Sequence, residues 1–89
     1  MVKVKGVKVY PSEIRSVLLG LDGPSGAYRL TVSAKDGGGD RLALVLQGSG
    51  NDDVTEEIAQ RFKSQTLISA DEISFVHELE EGPAVVDER

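Results

Sequence analysis

The chain has 89 residues, of which 39% are apolar, no cysteine, and a net charge of −5. A chain of this length builds one domain at most, and without cysteine it has neither disulfides, thiol nucleophiles nor thiolate metal sites. The negative charge argues against general binding to nucleic acid or to an anionic membrane, and no apolar run reaches the roughly 20 residues of a membrane-spanning helix. The lack of cysteine suits the cytoplasm, which is the expected location.

Charge is distributed unevenly along the sequence. Residues 1–15 hold four basic side chains against one acidic side chain, a net of +3, whereas residues 71–89 hold seven acidic against one basic, a net of −6. On one interpretation these are two solvated surfaces that attract each other weakly. On the other, the basic N-terminal edge faces an anion such as a nucleotide or coenzyme phosphate.

The first predicted element is a pair of short strands around Gly6. Valines alternate with lysines on both sides of this glycine, over residues 2–9. Glycine adopts positive φ without steric penalty, so it suits a position where a strand pair must turn. The pattern predicts a short hairpin or a kinked strand.

A helix is predicted to begin at Pro11, because proline lacks an N–H that would have no partner in the first helical turn. Glu13 places a negative charge in that turn, where the helix dipole favours it. The helix should end at Gly20 or Gly23. Its apolar stripe has helical spacing and consists of Ile14, Val17, Leu18 and Leu21.

Two strands follow, over residues 28–34 and 42–46, and the glycine-rich turn 35–40 joins them into a hairpin. The first strand alternates apolar and polar residues, as a half-buried strand does. The second is apolar at nearly every position, which predicts a central strand.

A second helix is predicted from an N-cap at Asp53 to about Gln65 or Thr66. A last strand covers residues 73–77, with His77 on the same face as two apolar residues. Residues 80–89 are predicted as a tail, either a short strand or frayed. The stripe of the second helix is Val54, Ile58, Ala59 and Phe62.

The order of elements is β-α-β-β-α-β, which predicts an α+β, ferredoxin-like fold: an antiparallel sheet with two helices on one face. The domain is assigned to residues 1–79 and the tail to 80–89. Many unrelated domains share this arrangement, so the fold alone does not specify a function.

Residues typical of catalytic sites are largely missing. The glycines at 37–39 and 48–50 are followed by Asp or Asn rather than the lysine of a phosphate-binding loop. His77 has no identifiable orienting partner, so a place at the edge of the core is favoured over proton transfer. The carboxylates between residues 71 and 81 lack calcium-loop spacing, which favours a solvated acidic surface over a metal site.

Residues 1–18 read MVKVKGVKVYPSEIRSVL. This stretch resembles the hinge-proximal segment of the small C-terminal domain of phenylacetate–CoA ligases, members of the adenylate-forming acyl-CoA ligase superfamily. Their pattern is M-[LI]-[IK]-V-R-G-V-N-V-[FY]-P-S-[QE]-I-E-x-V-L. Further along, residues 28–30 stand where the family often has Tyr-Gln-Leu, and residues 40–42 resemble the start of its third strand. The resemblance covers most of the chain and is specific at its start.

In that family the small domain rotates between two poses. One pose brings a lysine near its end into the active site, where it stabilises negative charge during acyl-adenylate formation. The other brings in the hinge-proximal hairpin, which shapes the tunnel for the thiol arm of coenzyme A. The resemblance therefore implies Lys5, Gly6 and Val7 as cofactor-binding residues. Gly6 would let the backbone pass close to the pantetheine chain; a tight turn alone is the other explanation.

The end of the chain departs from the family pattern, which is roughly E-G-K-A-x-R-V-x-D-x-R. Here residues 81–89 read EGPAVVDER, with Pro83 in the lysine position, and no lysine follows Lys63. Proline cannot supply the positive charge that stabilises a transferring phosphate. The resemblance therefore implies no catalytic residue in this chain and no support for adenylation.

Two hypotheses follow. The first is an accessory C-terminal domain of a phenylacetate–CoA ligase-like, AMP-forming enzyme, inactive alone and docked on a large N-terminal adenylation domain. Coenzyme A and ATP or AMP are then cofactors of the parent enzyme, without tight binding to this chain alone. The alternative is a stand-alone ferredoxin-like ligand-binding or regulatory module that self-associates as a homodimer through an exposed sheet edge or face.

Overall fold

The computed structural model describes residues 2–21 and 24–89. Gly23, one of the two positions predicted to end the first helix, lies outside the described residues. The elements, in chain order, are β1 (Val2–Val4), β2 (Val7–Val9), α1 (Pro11–Leu18), β3 (Pro24–Ala34), β4 (Asp40–Gly48), α2 (Asp52–Thr66), β5 (Glu72–Val76) and β6 (Val85–Asp87).

The strands form two sheets. β1 and β2 pair only with each other, and the other four form a sheet of order β5-β4-β3-β6. The predicted α+β, ferredoxin-like class is confirmed, but the sheet is mixed rather than wholly antiparallel. The β3–β4 pair is antiparallel, whereas β4–β5 and β3–β6 are parallel. The reason for the first parallel pair is that α2 connects β4 to β5, and a helical crossover returns the chain in the same direction.

One face of the four-stranded sheet carries the core, and both helices lie on it. β4 is a central strand, as predicted. Its apolar side chains on this face are fully buried, as are Leu30 and Val32 of the neighbouring β3. They pack with the buried residues of both helices and of the β1–β2 hairpin in one cluster. The fully buried apolar members from the sheet and helices are Leu30, Val32, Leu42, Leu44, Leu46, Ile14, Val17, Ile58 and Phe62.

Helix α1 begins at Pro11, as predicted. Its first turn is closed by Glu13, whose carboxylate accepts a hydrogen bond of 2.9 Å from the Tyr10 amide. The helix ends at Leu18, before both predicted stops, and Gly20 follows with φ of +77°. Leu21 therefore lies beyond the helix, although it still packs against the core.

Helix α2 begins at Asp52, and Asn51 is its N-cap, so the predicted cap at Asp53 is wrong. The Asn51 side chain accepts a hydrogen bond of 3.0 Å from the Val54 amide. Ile58 and Phe62 form the buried face as predicted, but Ala59 is exposed. The third buried position is instead Thr66, whose hydroxyl donates to the Phe62 carbonyl at 2.7 Å.

The last strand of the predicted order ends earlier than expected. β5 stops at Val76, so His77 lies past the strand and is exposed; the predicted place at the core edge is wrong. Within residues 80–89 the structure has a short strand, β6, which joins the main sheet beside β3. No helix in the described parts of the chain is long and apolar enough to cross a membrane.

Candidate functional site

The tip of the β1–β2 hairpin is the turn Lys5–Gly6. Val4 and Val7 face each other across it, so the loop contains two residues. Both have positive φ, 51° at Lys5 and 80° at Gly6. Two-residue hairpin loops with positive φ at both positions match the right-handed twist of their strands. The sequence prediction of a turn at Gly6 is confirmed.

The hairpin is attached to the core through one of its faces. Val2, Val4 and Val9 are buried, and Val7 is half-buried against the same cluster. Lys3 and Lys8 are exposed and face each other directly across the two strands. Like charges directly opposite each other are destabilising in an antiparallel pair. The hairpin thus presents an apolar face to the core and a basic face to solvent.

The side of Gly6 where a Cβ would be is open. A Cβ built on it would have no described heavy atom within 4 Å. The positive φ is a sufficient reason for glycine here, because other L-residues pay a steric cost in that region. Contact with a pantetheine chain, implied by the family resemblance, is not needed to explain the residue and stays a prediction.

The ammonium group of Lys5 is directed at the domain. It lies 3.1 Å from a carboxylate oxygen of Asp71 and donates to the Ser69 carbonyl at 3.1 Å. The Lys5 amide donates to the carboxylate of Asp40 at 2.8 Å. The weak attraction expected between the basic start and acidic end of the sequence therefore includes a specific ion pair.

Asp71 lies immediately before β5 and is bound from several sides. The Leu42 amide donates to its carboxylate at 2.8 Å, and this hydrogen bond is the largest reason why the pKa of Asp71 falls to about 2. Lys5 and Lys35 also lower it, while burial opposes the shift. Asp71 is consequently ionised at neutral pH.

Arg89 joins the same group from the end of the described chain. Its guanidinium donates to the Lys3 carbonyl at 2.7 Å and to the Asp40 carboxylate at 3.2 Å. It also forms an ion pair of 2.8 Å with Asp87, which raises the pKa of Arg89 and lowers that of Asp87 to about 2. Lys3 and Lys5 are therefore both contacted by groups from distant parts of the sequence.

A second region of interest is the segment from Glu80 to Pro83, between β5 and β6. Arg29 on β3 donates to the carbonyls of both residues, at 2.6 Å and 3.2 Å. The segment borders an open depression of about 570 Å³, which Gln47 also lines. Gly82 lies so close to Arg29 that an added Cβ would be 2.9 Å from the guanidinium. Arg29 thus places a cation at the segment that contains Pro83.

Metal binding is the other chemistry considered for this chain. Within residues 2–21 and 24–89, no group of three or more His, Asp or Glu side chains could hold a metal ion. The structure brings Lys5, Gly6 and Val7 together, and sequence reasoning missed Asp40, Asp71 and Arg89 around them. The excess of basic residues at the start and of acidic residues at the end was the one available signal, and it could not identify the pairs.

The sequence matches no protein-family model and no curated protein. Solved structures do match. A domain of phenylacetate-coenzyme A ligase from Bacteroides vulgatus ATCC 8482 superposes with a TM-score of 0.85 at 22% identity, over 98% of this chain and 91% of that one. The chain has the fold of this ligase domain.

2-Hydroxyisobutyryl-CoA ligase contains the same fold within a larger chain. Solved with 2-HIB-AMP and CoA in the thioesterification state, it matches with a TM-score of 0.73 at 22% identity, over 97% of this chain. An open conformation with the same two ligands gives 0.75 at 21% identity, over 99% of this chain. The present chain spans about a fifth of that ligase, at 20% and 21% of its length.

Proposed function

We propose that the chain acts as the small domain of an AMP-forming acid–CoA ligase similar to phenylacetate–CoA ligase. The observation that supports this most is the match over nearly the whole chain to the small part of 2-hydroxyisobutyryl-CoA ligase, a protein solved with an acyl-adenylate and CoA. In this role the chain docks on a large adenylation domain and is inactive alone. Coenzyme A and ATP or AMP bind mainly to that partner.

The β1–β2 hairpin is the part of the domain proposed to enter the thioester-forming site. Lys5 and Gly6 form its tip and Val7 begins the returning strand. The turn is exposed, and the space around Gly6 is open. Here the backbone of Gly6 can approach a narrow thiol arm without a Cβ in between.

The adenylation half of the reaction is proposed to be lost. The family resemblance assigns a charge-stabilising lysine to the position of Pro83, and the positively charged group bound at that segment is Arg29, which donates to two backbone carbonyls there. A guanidinium held in this way differs in position and reach from a lysine on the segment itself.

The test adds the proposed partner, a large adenylation domain. The large domain of a phenylacetate–CoA ligase is given preformed phenylacetyl-adenylate and coenzyme A, with and without the 89-residue chain, and thioester is measured. We expect the chain to raise thioester formation at least tenfold and, in a separate assay with ATP and phenylacetate, to leave adenylate formation by the large domain unchanged. Lys63→Gln, an exposed change on α2, is the matched control and should behave like the original chain. Equal thioester rates with and without the chain, together with no binding, would overturn the proposal.

One observation favours the self-association alternative. The face of the main sheet opposite the helices is half-exposed and includes Val45, Val76 and Val86. A second copy could cover such a face. Sedimentation at several concentrations discriminates: a stable dimer supports the alternative, and a monomer at high concentration contradicts it.

A further inference from the structure

Two aspartates from separate parts of the main sheet meet the hairpin tip. Asp40 begins β4 and lies beside the Lys5 amide, 2.8 Å away. Asp71 precedes β5 and lies 3.1 Å from the Lys5 ammonium. One lysine is thus bound at its backbone by one carboxylate and at the end of its side chain by another. No local feature of a two-residue turn requires either contact.

Asp71 is itself fixed on the sheet. Its amide donates to the Leu42 carbonyl at 2.8 Å, and its carboxylate accepts from the Leu42 amide at 2.8 Å. Lys35 binds the other carboxylate oxygen at 3.2 Å. Because backbone and side chain are both attached to β4, Asp71 gives Lys5 a rigid partner rather than a mobile surface charge.

Asp40 is shared between the hairpin and Arg89. The Arg89 guanidinium donates to Asp40 at 3.2 Å and to the Lys3 carbonyl at 2.7 Å. The hairpin therefore has polar contacts at Lys3, to Arg89 just after β6, and at Lys5, to Asp40 and Asp71. These contacts add to the buried valines on the inner face and fix the direction in which the turn points.

The two exposed parts of the turn are consequently different. The Lys5 side chain is 27% exposed, with its ammonium occupied by Asp71 and by the Ser69 carbonyl. Gly6 has no neighbour where a Cβ would be. The turn therefore exposes the backbone of Gly6, while the ammonium group of Lys5 is bound to the domain.

We propose that Asp40 and Asp71 are positioning residues for the Lys5–Gly6 turn, which they hold on the sheet so that it presents its backbone rather than a free ammonium group. The consequence for the ligase reaction rests on the proposed function; the positioning itself does not. Lys5 is then part of the support of the turn, and Gly6 is the part that meets a ligand.

The first test measures the turn directly. Amide hydrogen exchange is followed by NMR on the full 89-residue chain. Asp40→Ala should raise exchange at the Lys5 amide at least tenfold, because that amide loses its acceptor, while exchange at Leu44 in the middle of β4 stays unchanged. Glu78→Gln, in the exposed segment after β5, is the control and should change neither. Unaltered exchange at Lys5 in Asp40→Ala would overturn the proposal, and a change at Leu44 would show general unfolding instead of positioning and would equally count against it.

The second test separates positioning from ligand charge. Lys5→Gln, Asp71→Asn and the double variant are compared by exchange at Lys5 and by the KM for coenzyme A in the thioester assay with the large domain. If the ion pair positions the turn, both single variants change each quantity in the same direction, and the double variant is no worse than either. If the Lys5 ammonium binds the ligand, Asp71→Asn lowers KM while Lys5→Gln raises it, and the proposal is wrong.

Failure of the proposed function is visible separately. If no thioester forms in the presence of the large domain, the proposed ligase role is contradicted. The exchange measurements do not depend on that assay and still decide whether Asp40 and Asp71 position the turn. A conservative variant supplies a last check. Unlike Lys5→Gln, Lys5→Arg retains a cation for Asp71, so amide exchange at residue 5 should stay within about threefold of the value in the original protein.

Discussion

The guanidinium of Arg61 donates a hydrogen bond of 2.8 Å to the carbonyl oxygen of Leu19, just past the end of α1. It lies 3.4 Å from the Val17 carbonyl as well, and Glu57 on the same helix binds it at 3.0 Å. The last carbonyls of a helix have no hydrogen-bond partner within the helix. A cation at this end also interacts favourably with the negative end of the helix dipole. A side chain of α2 thereby completes α1, whose eight residues are too few to be stable alone.

Replacing Arg61 should therefore loosen the contact between the helices. Arg61→Ala is expected to lower the free energy of unfolding by about 1 kcal/mol, a value reduced for the partial exposure of the side chain. Chemical denaturation provides the measurement. Gln60→Ala, its exposed neighbour, is the control and should stay within about 0.5 kcal/mol of the original protein. Equal effects of the two substitutions would contradict the capping role.

The turn of the hairpin depends on the backbone freedom of residue 6. Gly6→Ala should cost about 1 kcal/mol, because φ of +80° is unfavourable for a residue with a Cβ. Gly6→Asn should cost less, since asparagine tolerates left-handed conformations better than alanine does. Thermal unfolding of the three proteins gives the order. A Gly6→Asn variant less stable than Gly6→Ala would show that contacts, and not φ, select glycine.

Stability should fall in acid partly through Asp71. Its pKa is about 2 in the folded protein, below the value of roughly 3.9 for an unfolded chain. The contribution of the ionised form is therefore complete above about pH 5 and is lost as the pH falls toward 2. The difference in unfolding free energy between the original protein and Asp71→Asn should be constant from pH 7 to about 5 and then shrink. Glu78→Gln serves as the comparison; a difference for Asp71→Asn that is independent of pH would refute the assignment.

Gly50 and Phe75 are closely packed. A Cβ on Gly50 would clash with the ring of Phe75, which itself packs against the core. Gly50→Ala should thus cost about 1–3 kcal/mol through overpacking. The same change in a Phe75→Leu background should cost less, because the smaller side chain can make room, and a double-mutant cycle measures that difference. Additive effects would mean that the two residues are not in contact in solution.

Sequence patterns were sufficient for the elements but not for their arrangement. The alternating valines, the proline at helix N1, the alternating strand at residues 28–34 and the apolar strand at residues 42–46 each specify local structure, and each element exists. The neighbours of β5 and β6 could not be read from them: the helical crossover sets the direction of β5, but no local pattern pairs β5 with β4 or β6 with β3. The misplaced N-cap has a comparable origin: Asn51 and Asp53 are both good capping residues, and a helix starting after either one places Ile58 and Phe62 on the buried face.

The candidate site was partly predictable for a similar reason. The turn at Lys5–Gly6 is encoded locally, by glycine between two alternating segments. The partners of Lys5 are 35 and 66 positions away along the sequence, at Asp40 and Asp71. Several other acidic residues were equally suitable by charge. Only the strand order brings these two beside the hairpin.

The contact between Arg89 and Lys3 spans 86 positions of the sequence, more than any other side-chain hydrogen bond named above. Closing a loop of that length costs more entropy than any local pairing, so this contact gains least from the early steps of folding. β1 and β2 can pair with each other at once, but the contact of Lys3 with Arg89 forms only after β6 has joined β3. We therefore expect the Arg89 side chain to be the last group around the hairpin to take its final place during refolding, after the helices, the β3–β4 pair and the contacts of Lys5 with Asp40 and Asp71.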